Sequence, residues 1–389
     1  MAKIEEIQTA LVDRRIDGWL FYDHHHRDPI AYRILGLPES LMVSRRWFYL
    51  IPAHGEPIKL VHQIEEFHLD SLPGKKLVYA ARQELVDELG QMLSDVREVA
   101  MQFSPDNMIF TVSVVDAGTV DLIRDLGKKI VSSANLVARF EATWTDDQIR
   151  SHFAARDSID AIMAAAFQEI GQRARARGTS EFEIQQWLME AFLRENLVSD
   201  GPPTVAVNQN SGNPHYVPTS DHSVEIRKND FVLLDVWGKK NKPDAVYYDI
   251  SWTCFVGETA PQRIGKIFEI VRRSRDAGIE KVRTSVAIGK TLCGWEVDKA
   301  ARDVLVAEGY GEFLRSRVGH SIGTEVHGNG ANMDNFESRD EREVIANTCF
   351  SIEPGIYLPE FGLRSEVDML VRAKSAEVTG RMQNEIVLV

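Results

Sequence analysis

Two pairs of strand-like segments, each with an acidic residue among apolar neighbours, constrain the fold of this chain most strongly. The segments FVLLDVWG and VYYDISWTCFV are rich in β-branched and aromatic residues, and KKNKPDA between them is typical of a turn. A hairpin folded about Lys242 places Asp235 opposite Asp249. Directly opposed side chains lie about 5 Å apart, so two carboxylates there repel each other. We therefore expect a cation between them.

The same arrangement occurs a second time near the end of the sequence. FSIEPGIY and GLRSEVDMLV flank a predicted turn at residues 358–361, and this turn places Glu353 opposite Glu366. A buried carboxylate must be matched by a positive charge or become protonated. Arg364 is the only nearby basic residue on these strands, and it cannot neutralise four acids. The repetition predicts a metal site.

Patterning along the chain predicts two domains. Residues 18–140 alternate short apolar runs with helical patterns, as in a small α/β domain. Two capping boxes then open long amphipathic segments, with Thr145 and Gln148 at the first and Ser180 and Glu183 at the second. We predict a small domain over residues 1–143 and a larger α+β domain over residues 144–389.

Composition excludes several classes of partner. The formal charge of −13 repels phosphate backbones and anionic lipid, so we expect neither nucleic acid nor membrane as a partner. No apolar run approaches the length that spans a bilayer, which makes the cytoplasm the expected location. Cys254, Cys293 and Cys349 lack the spacing of a disulfide framework or a thiolate zinc site.

Five motifs in order resemble a known family. LLDVW, YYDIS, GHSIGTEVH, SIEPGIY and LRSEVD resemble the pita-bread metallopeptidases, which include methionine aminopeptidase, prolidase, aminopeptidase P and creatinase. The resemblance extends from about residue 145 to the end and, more faintly, over the N-terminal domain that prolidase and creatinase carry. It implies a pita-bread catalytic domain preceded by a creatinase-like α/β domain, and a homodimer.

The resemblance also implies a site with two divalent ions. Asp249 and Glu366 would bridge both ions, Asp235 would complete one, and His320 and Glu353 the other. Because this ligand set is rich in oxygen, we expect Mn²⁺ first, with Co²⁺, Zn²⁺ or Fe²⁺ as alternatives.

Further residues are expected to act on the substrate rather than on the ions. Glu353 would transfer protons between the attacking water and the leaving nitrogen. His327 and His215 match the positions at which the family contacts substrate, and both would donate hydrogen bonds to it. Arg339, Arg342 and Arg364 are candidates for holding a substrate carboxylate, because arginine binds carboxylates in bidentate fashion.

The favoured activity is hydrolysis of the Xaa-Pro bond at the N-terminus of short peptides, by a dipeptidase or an aminopeptidase. Three features depart from the family: a long turn at residues 239–244, DVWG in place of DxG, and HGNG after the second histidine. The first alternative is a lyase or non-peptide C–N hydrolase, since creatinase and a dimethylsulfoniopropionate lyase share the scaffold. The second is a metal-free binding module like the related histone chaperones, which intact ligands argue against.

Overall fold

The computed structural model describes residues 4–40 and 42–389 of the chain. It divides into two compact units, Met1–Glu141 and Ala142–Val389. Within the described residues, no helix has both the length and the apolar character needed to cross a membrane.

In the residues that the structure describes, unit 1 contains five α-helices and one six-stranded sheet. The strands run in the order β4-β3-β2-β1-β5-β6, with antiparallel pairs at β1–β2 and β2–β3 and parallel pairs elsewhere. The elements are α1 (Ile4–Arg14), β1 (Gly18–Asp23), α2 (Pro29–Leu35), β2 (Trp47–Pro52), β3 (Ile58–His62), β4 (Lys75–Tyr79), α3 (Arg82–Met92), β5 (Glu98–Met101), α4 (Ala117–Asp125), β6 (Lys129–Ser132) and α5 (Ala134–Glu141).

The central strands of this sheet are buried on both faces. Along β1, Trp19 and Phe21 enter one hydrophobic core while Leu20 and Tyr22 enter another. Both faces therefore need apolar side chains, which explains why GWLFY reads as a continuous apolar run rather than an alternating one.

Unit 2 begins with two helices whose N-termini match the predicted caps. They are α6 (Asp146–Ala176) and α7 (Glu181–Arg194). Thr145 caps α6 with a reciprocal bond to Gln148, as predicted. Ser180 caps α7 through the amide of Glu183, but the Glu183 side chain accepts a hydrogen bond from Thr179 instead of completing the box.

Four sheets and two further α-helices complete unit 2. The strands form a five-stranded sheet in which β11 pairs with β8, β9 and β12, a four-stranded sheet in the order β13-β14-β17-β18, and the pairs β15–β16 and β7–β10. The elements are β7 (Thr179–Ser180), β8 (Leu197–Val198), β9 (Thr204–Val207), β10 (Glu225–Ile226), β11 (Phe231–Lys240), β12 (Tyr248–Phe255), α8 (Gln262–Ala287), α9 (Gly294–Ala307), β13 (Ser321–Ile322), β14 (Cys349–Ile352), β15 (Gly355–Tyr357), β16 (Gly362–Arg364), β17 (Val367–Val371), β18 (Ala376–Val378) and β19 (Val387–Leu388).

The first predicted hairpin forms, but with a different register. Asp235 pairs with Ser251, and Asp249 pairs with Trp237. The predicted pairing of Asp235 with Asp249 is therefore wrong by two residues. A shift of two residues keeps side chains on the same face, so both carboxylates still lie on one side of the sheet, as diagonal neighbours.

The turn explains the shift, because it is not symmetric about Lys242. The Lys242 amide donates to the carbonyl of Lys240, and Asp244 adopts a positive φ of 57°. Tyr247 leaves the ladder altogether, since its amide donates to the carbonyl of Gly323. The residues before β12 thus extend further than a regular hairpin would.

The second hairpin has the predicted register. Ile352 pairs with Val367 on one side of the acidic positions, and Gly355 pairs with Arg364 on the other. Both pairs follow the same register, which sets Glu353 opposite Glu366.

Candidate metal centre

The two hairpins bring their acidic residues together through direct contacts between β12 and the segment that leads into β17. The amide of Glu366 donates to the carbonyl of Ser251 at 3.3 Å. The Ser251 hydroxyl lies 2.7 Å from a carboxylate oxygen of Asp235 and 2.7 Å from one of Glu366, so it can donate to either. The carboxylates from distant parts of the chain therefore share one buried polar region.

Asp249, His320 and Glu366 form the centre of this region. Each offers one ligand atom, and the three atoms lie within 4.8 Å of one another. All three residues are buried, and the Oδ1 atom of Asp249 has no hydrogen-bond partner. An unpartnered, buried carboxylate oxygen beside an imidazole and a second carboxylate fits a divalent cation, because oxygen and imidazole donors suit such ions.

Glu353 joins this group from the end of β14. Its Oε1 lies 3.3 Å from Nε2 of His320, which itself lies 3.6 Å from Oδ2 of Asp249. The Ser351 hydroxyl donates to Oε1 of Glu353 at 3.0 Å. His320 is thus between two carboxylates in the structure.

Arg364 places a positively charged guanidinium among these carboxylates. Its guanidinium forms an ion pair with Asp235, lies 3.6 Å from Glu353 and donates from Nε to the Ser251 hydroxyl at 2.9 Å. The side chain is buried. One guanidinium cannot balance Asp235, Asp249, Glu353 and Glu366 together, as the sequence already indicated.

Burial, together with the unbalanced negative charge, raises the pKa of three of these carboxyls. Burial, followed by the charge of Asp235, raises the pKa of Asp249 well above its usual value. Burial, followed by the charge of Asp249, does the same to the pKa of Glu366. Burial also raises the pKa of Glu353, although Arg364 opposes the shift. A bound cation would reverse the direction of all three shifts.

His320 is held in the orientation and protonation state that metal binding requires. Its Nδ1 lies 3.3 Å from the carbonyl of Ser321, which leaves Nε2 facing the carboxylates. Burial, and then the neighbouring His327, lower the pKa of His320 well below its usual value, so the ring is neutral. Neutral imidazole is the form that binds metals.

The backbone before His320 packs unusually closely against β14. The His320 amide donates to the Ser351 hydroxyl at 3.0 Å, and the Ser351 amide donates to the His320 carbonyl at 2.9 Å. A Cβ atom at Gly319 would lie 2.0 Å from the Ser351 carbonyl oxygen. Glycine is therefore the residue that permits this contact.

The two predicted substrate-contacting histidines lie beside this cluster. The ring centroids of His327 and His320 are 4.2 Å apart. Loss of water around its ring lowers the pKa of His327, and the charges of Arg317 and His215 lower it further. His215 itself is exposed, in the segment between β9 and β10. Both histidines are thus exposed to solvent, and the ring of His327 packs on that of His320.

The structure separates the two arginines of the 336–344 segment. Arg342 is buried, its guanidinium is bidentate with Asp340, and Nη1 donates to the carbonyl of Asn329 at 3.1 Å. The expectation that Arg342 holds a substrate carboxylate is corrected, since Asp340 already occupies that guanidinium. Arg339 is exposed, lies 4.2 Å over the ring of Trp295 and pairs with Glu341 at 3.3 Å. Its role stays a prediction.

Trp237 and Asp368 lie beside Asp249 and were not anticipated from the sequence. Trp237 stands directly opposite Asp249, and its indole N–H donates to Asp200 at 2.6 Å. Asp368 is fully buried and accepts the amide hydrogen of Asp249 at 2.9 Å. The spacing in the sequence could have indicated both. Trp237 lies two residues after Asp235 and Asp368 two residues after Glu366, and side chains two residues apart share one face of a strand.

A second group of potential ligands lies behind the first. Atoms of His152, Cys349 and Asp368 also lie within 4.8 Å of one another. However, both nitrogens of His152 have partners, the Tyr247 carbonyl at 2.6 Å and the Thr379 hydroxyl at 2.8 Å. With its imidazole engaged on both sides, this group is better described as packing that supports Asp249 from behind.

Comparison with known proteins places the chain in a family. Residues 155–373, more than half of the chain, match metallopeptidase family M24. The chain therefore belongs to metallopeptidase family M24. The family resemblance and the α+β pita-bread fold class predicted from the motifs are both confirmed.

Individual relatives are more distant. The chain is 29% identical over 198 residues to a putative Xaa-Pro aminopeptidase of Mycoplasma pneumoniae, covering 50% of this chain and 51% of the relative. It is 27% identical over 235 residues to an Xaa-Pro dipeptidase of Lactobacillus helveticus, covering 60% and 58%. The chain thus spans little more than half the length of these curated relatives.

Similarity of the fold extends over the whole chain. The crystal structure of dipeptidase PepE from Mycobacterium ulcerans matches with a TM-score of 0.69 at 19% identity, covering 99% of this chain and 96% of that chain. At this identity the comparison establishes the fold alone.

Proposed function

We propose that this protein is a dinuclear metallopeptidase that hydrolyses the Xaa-Pro bond at the N-terminus of short peptides. One observation carries the proposal: the buried ligand atoms of Asp249, His320 and Glu366 converge, and one Asp249 oxygen has no partner. Membership of family M24 supports the metal dependence. The names of the two curated relatives support the choice of substrate.

Five residues would hold the ions: Asp235, Asp249, His320, Glu353 and Glu366. When bound, two divalent ions supply Lewis acidity for a carbonyl and lower the pKa of a water molecule to near neutrality. Mn²⁺ is our first choice because four of the five ligands are carboxylates, while Co²⁺, Zn²⁺ and Fe²⁺ remain alternatives. Arg364, which now pairs with Asp235, would help to keep that carboxylate ionised and oriented.

Glu353 would move the proton. It receives a hydrogen bond from Ser351 on one oxygen, while the other lies 3.6 Å from Arg364. A carboxylate so positioned can take a proton from the attacking water and return it to the leaving proline nitrogen. Burial raises the pKa of Glu353 and Arg364 opposes the shift, so the protonation of this carboxyl depends on the charges around it.

His327 and His215 would stabilise the transition state. His327 packs on His320, so its ring would lie close to the scissile carbonyl of a peptide bound at the ions. A preorganised hydrogen-bond donor at a developing oxyanion contributes roughly a hundredfold or more to kcat. His215 would contact the substrate from the exposed segment between β9 and β10.

Whether the enzyme prefers dipeptides depends on a group that holds a free carboxylate. Arg339 remains the candidate from the 336–344 segment, and Arg364 is the alternative within the cluster. Cleavage of Ala-Pro and Ala-Pro-amide by wild type and by Arg339→Ala decides this, because only the free acid offers a carboxylate. A cytoplasmic homodimer, expected from composition and family resemblance, is part of the same proposal, and sedimentation of the full chain tests the dimer.

The function is tested by pairing metal analysis with a substrate panel. We expect two Mn²⁺ per chain and metal-dependent cleavage of Gly-Pro, Ala-Pro and Ala-Pro-Xaa peptides. Creatine and dimethylsulfoniopropionate are included, because turnover of either would favour the non-peptide alternatives. A metal-loaded protein that cleaves none of the proline peptides would refute the proposal, and Asp249→Asn is the inactive control.

A further inference from the structure

Glu181 is a buried carboxylate that the proposed chemistry does not use. It is the first residue of α7, and it has no exposed surface. Within residues 4–40 and 42–389, no cationic side chain forms an ion pair with it. A buried charge without a counter-ion is costly unless hydrogen bonds compensate it, so the partners of this group explain why it is there.

Those partners all belong to the segment that carries His215 or to its two ends. Oε1 accepts the amide of Val207 at 2.7 Å and the side-chain amide of Asn210 at 2.9 Å. Oε2 accepts the hydroxyl of Tyr216 at 2.7 Å and the amide of Val224 at 2.8 Å. Every partner is a donor, which suits an ionised carboxylate at a helix N-terminus.

These bonds close the 208–224 segment around a single side chain. Val207 ends β9 before the segment, Val224 precedes β10 after it, and Tyr216 lies in the middle, directly after His215. The Tyr216 carbonyl also accepts a hydrogen bond from Thr204 at 3.0 Å. His215 is exposed, so its position depends on the backbone on either side rather than on contacts of its own ring.

The same segment contacts the hairpin that lies between Glu353 and Glu366. The amide of Gly362 donates to the hydroxyl of Ser211 at 2.9 Å, and the backbone at Gly212 packs against the carbonyl of Leu358. A displacement of the segment would therefore move His215 and would also disturb its contacts with the hairpin at the edge of the candidate metal centre.

We infer that Glu181 is a positioning residue, which acts through His215 by fixing the 208–224 segment against the candidate metal centre. The expected effect of Glu181 on catalysis rests on the proposed function. The fixing of the 208–224 segment by Glu181 does not. A substrate-contacting group that is held in place beforehand loses less freedom in the transition state.

Glu181→Gln is the discriminating change, because it keeps the size of the side chain and replaces one acceptor oxygen by a donor NH₂ that faces other donors. We expect kcat for Ala-Pro to fall about tenfold or more, with little change in KM and no loss of metal. Glu183→Gln is the matched control on the same helix, since Glu183 is partly exposed and accepts from Thr179 instead. That control should retain wild-type kcat.

A double-mutant cycle separates positioning from general stability. If Glu181 acts through His215, then Glu181→Gln combined with His215→Ala should be no slower than His215→Ala alone. A merely structural role would make the two losses multiply. If Glu181→Gln fails to fold, Tyr216→Phe removes one of the four partners and should show the same non-additivity on a smaller scale.

Hydrogen exchange provides a readout without catalysis. Amides of residues 213–224 should exchange at least about tenfold faster in Glu181→Gln than in wild type or Glu183→Gln. If the protein does not hydrolyse Xaa-Pro bonds, the proposed function is refuted, and faster exchange would then support only the structural part of the inference, that Glu181 fixes the 208–224 segment. Unchanged exchange, or multiplicative losses in an active enzyme, would overturn the positioning role and leave the proposed function intact.

Discussion

Replacing Glu366 by glutamine should have opposite effects on stability with and without metal. The ligand atoms of Glu366, Asp249 and His320 lie within 4.8 Å of one another. Two unit charges at that separation repel by about 3.5 kcal/mol at an effective dielectric constant of about 20. In chelator, and where both carboxyls are ionised, Glu366→Gln should therefore raise the free energy of unfolding by about 3.5 kcal/mol.

The gain in chelator should depend on pH. The pKa of Glu366 is raised in the folded state, so its contribution to stability is present below the pKa of the unfolded chain and is lost as pH rises. At low pH the wild-type carboxyl is already protonated, and the substitution changes little. The stabilisation by Glu366→Gln should therefore grow between pH 5 and pH 8.

Bound metal should make wild type more stable than Glu366→Gln, the reverse of the order in chelator. Each ion at 100 times its dissociation constant adds about 2.7 kcal/mol to the stability of a protein that binds it only when folded. Glu366 is proposed to contact both ions, so the variant should lose much of this contribution. With saturating Mn²⁺ we expect wild type to be the more stable protein.

The assay is urea unfolding in chelator and in Mn²⁺, with hydrogen exchange at the β12 amides as a reading confined to unit 2. Glu377→Gln is the control, since Glu377 is an exposed carboxylate near Arg372, and it should change stability by less than about 1 kcal/mol in either condition. A variant that is less stable than wild type in chelator at pH 8 would show that the carboxylates are not in electrostatic conflict, and would refute the reasoning.

Three further predictions concern other parts of unit 2. His320→Ala should lose metal at one site, whereas His327→Ala should keep its metal and lose turnover, as metal analysis and kinetics would show. Burial lowers the pKa of His152 to about 4. A histidine of the unfolded chain titrates near 6.5, so protonation favours unfolding, and the free energy of unfolding should fall by about 2 kcal/mol between pH 7 and pH 5. A His152 imidazole that titrates near 6.5 in the folded protein would contradict this. Arg342→Ala should lower the free energy of unfolding by roughly 3–5 kcal/mol, because it leaves the buried carboxylate of Asp340 unpaired. Arg339 is exposed, so Arg339→Ala should lower it by less than about 1 kcal/mol when both variants are compared by thermal unfolding.

Local rules predicted the parts of the fold that depend on neighbours in sequence. The cap at Thr145 and the register of the second hairpin followed from residues within a few positions of one another. The turn before Phe361 is short, and the Leu358 amide donates to the Phe361 carbonyl at 3.0 Å. Short turns of this kind leave the pairing little freedom.

The errors arose where distant contacts decided the outcome. The register at Asp235 depends on Tyr247, whose amide bonds to Gly323 more than seventy positions later. The residues around Arg342 are mostly polar and charged, as in a surface loop, yet the fold buries Arg342 against Asp340. Asp249 was predicted to be a ligand, and that role stays a prediction, but its hydrogen bond to Asp368 could not be predicted without knowing which strands are adjacent. Sequence spacing carries no direct record of such contacts.

The close packing at Gly319 has a consequence for how this protein can change over generations. Any other residue would place a carbon atom about 2.0 Å from the Ser351 carbonyl oxygen, so the backbone would have to separate there. Ligand residues can be exchanged for other ligands, and a new metal preference can arise step by step. Position 319 offers no such intermediate, because alanine is the smallest possible step and already collides. We expect a mutational library to accept substitutions at His327 more readily than at this glycine.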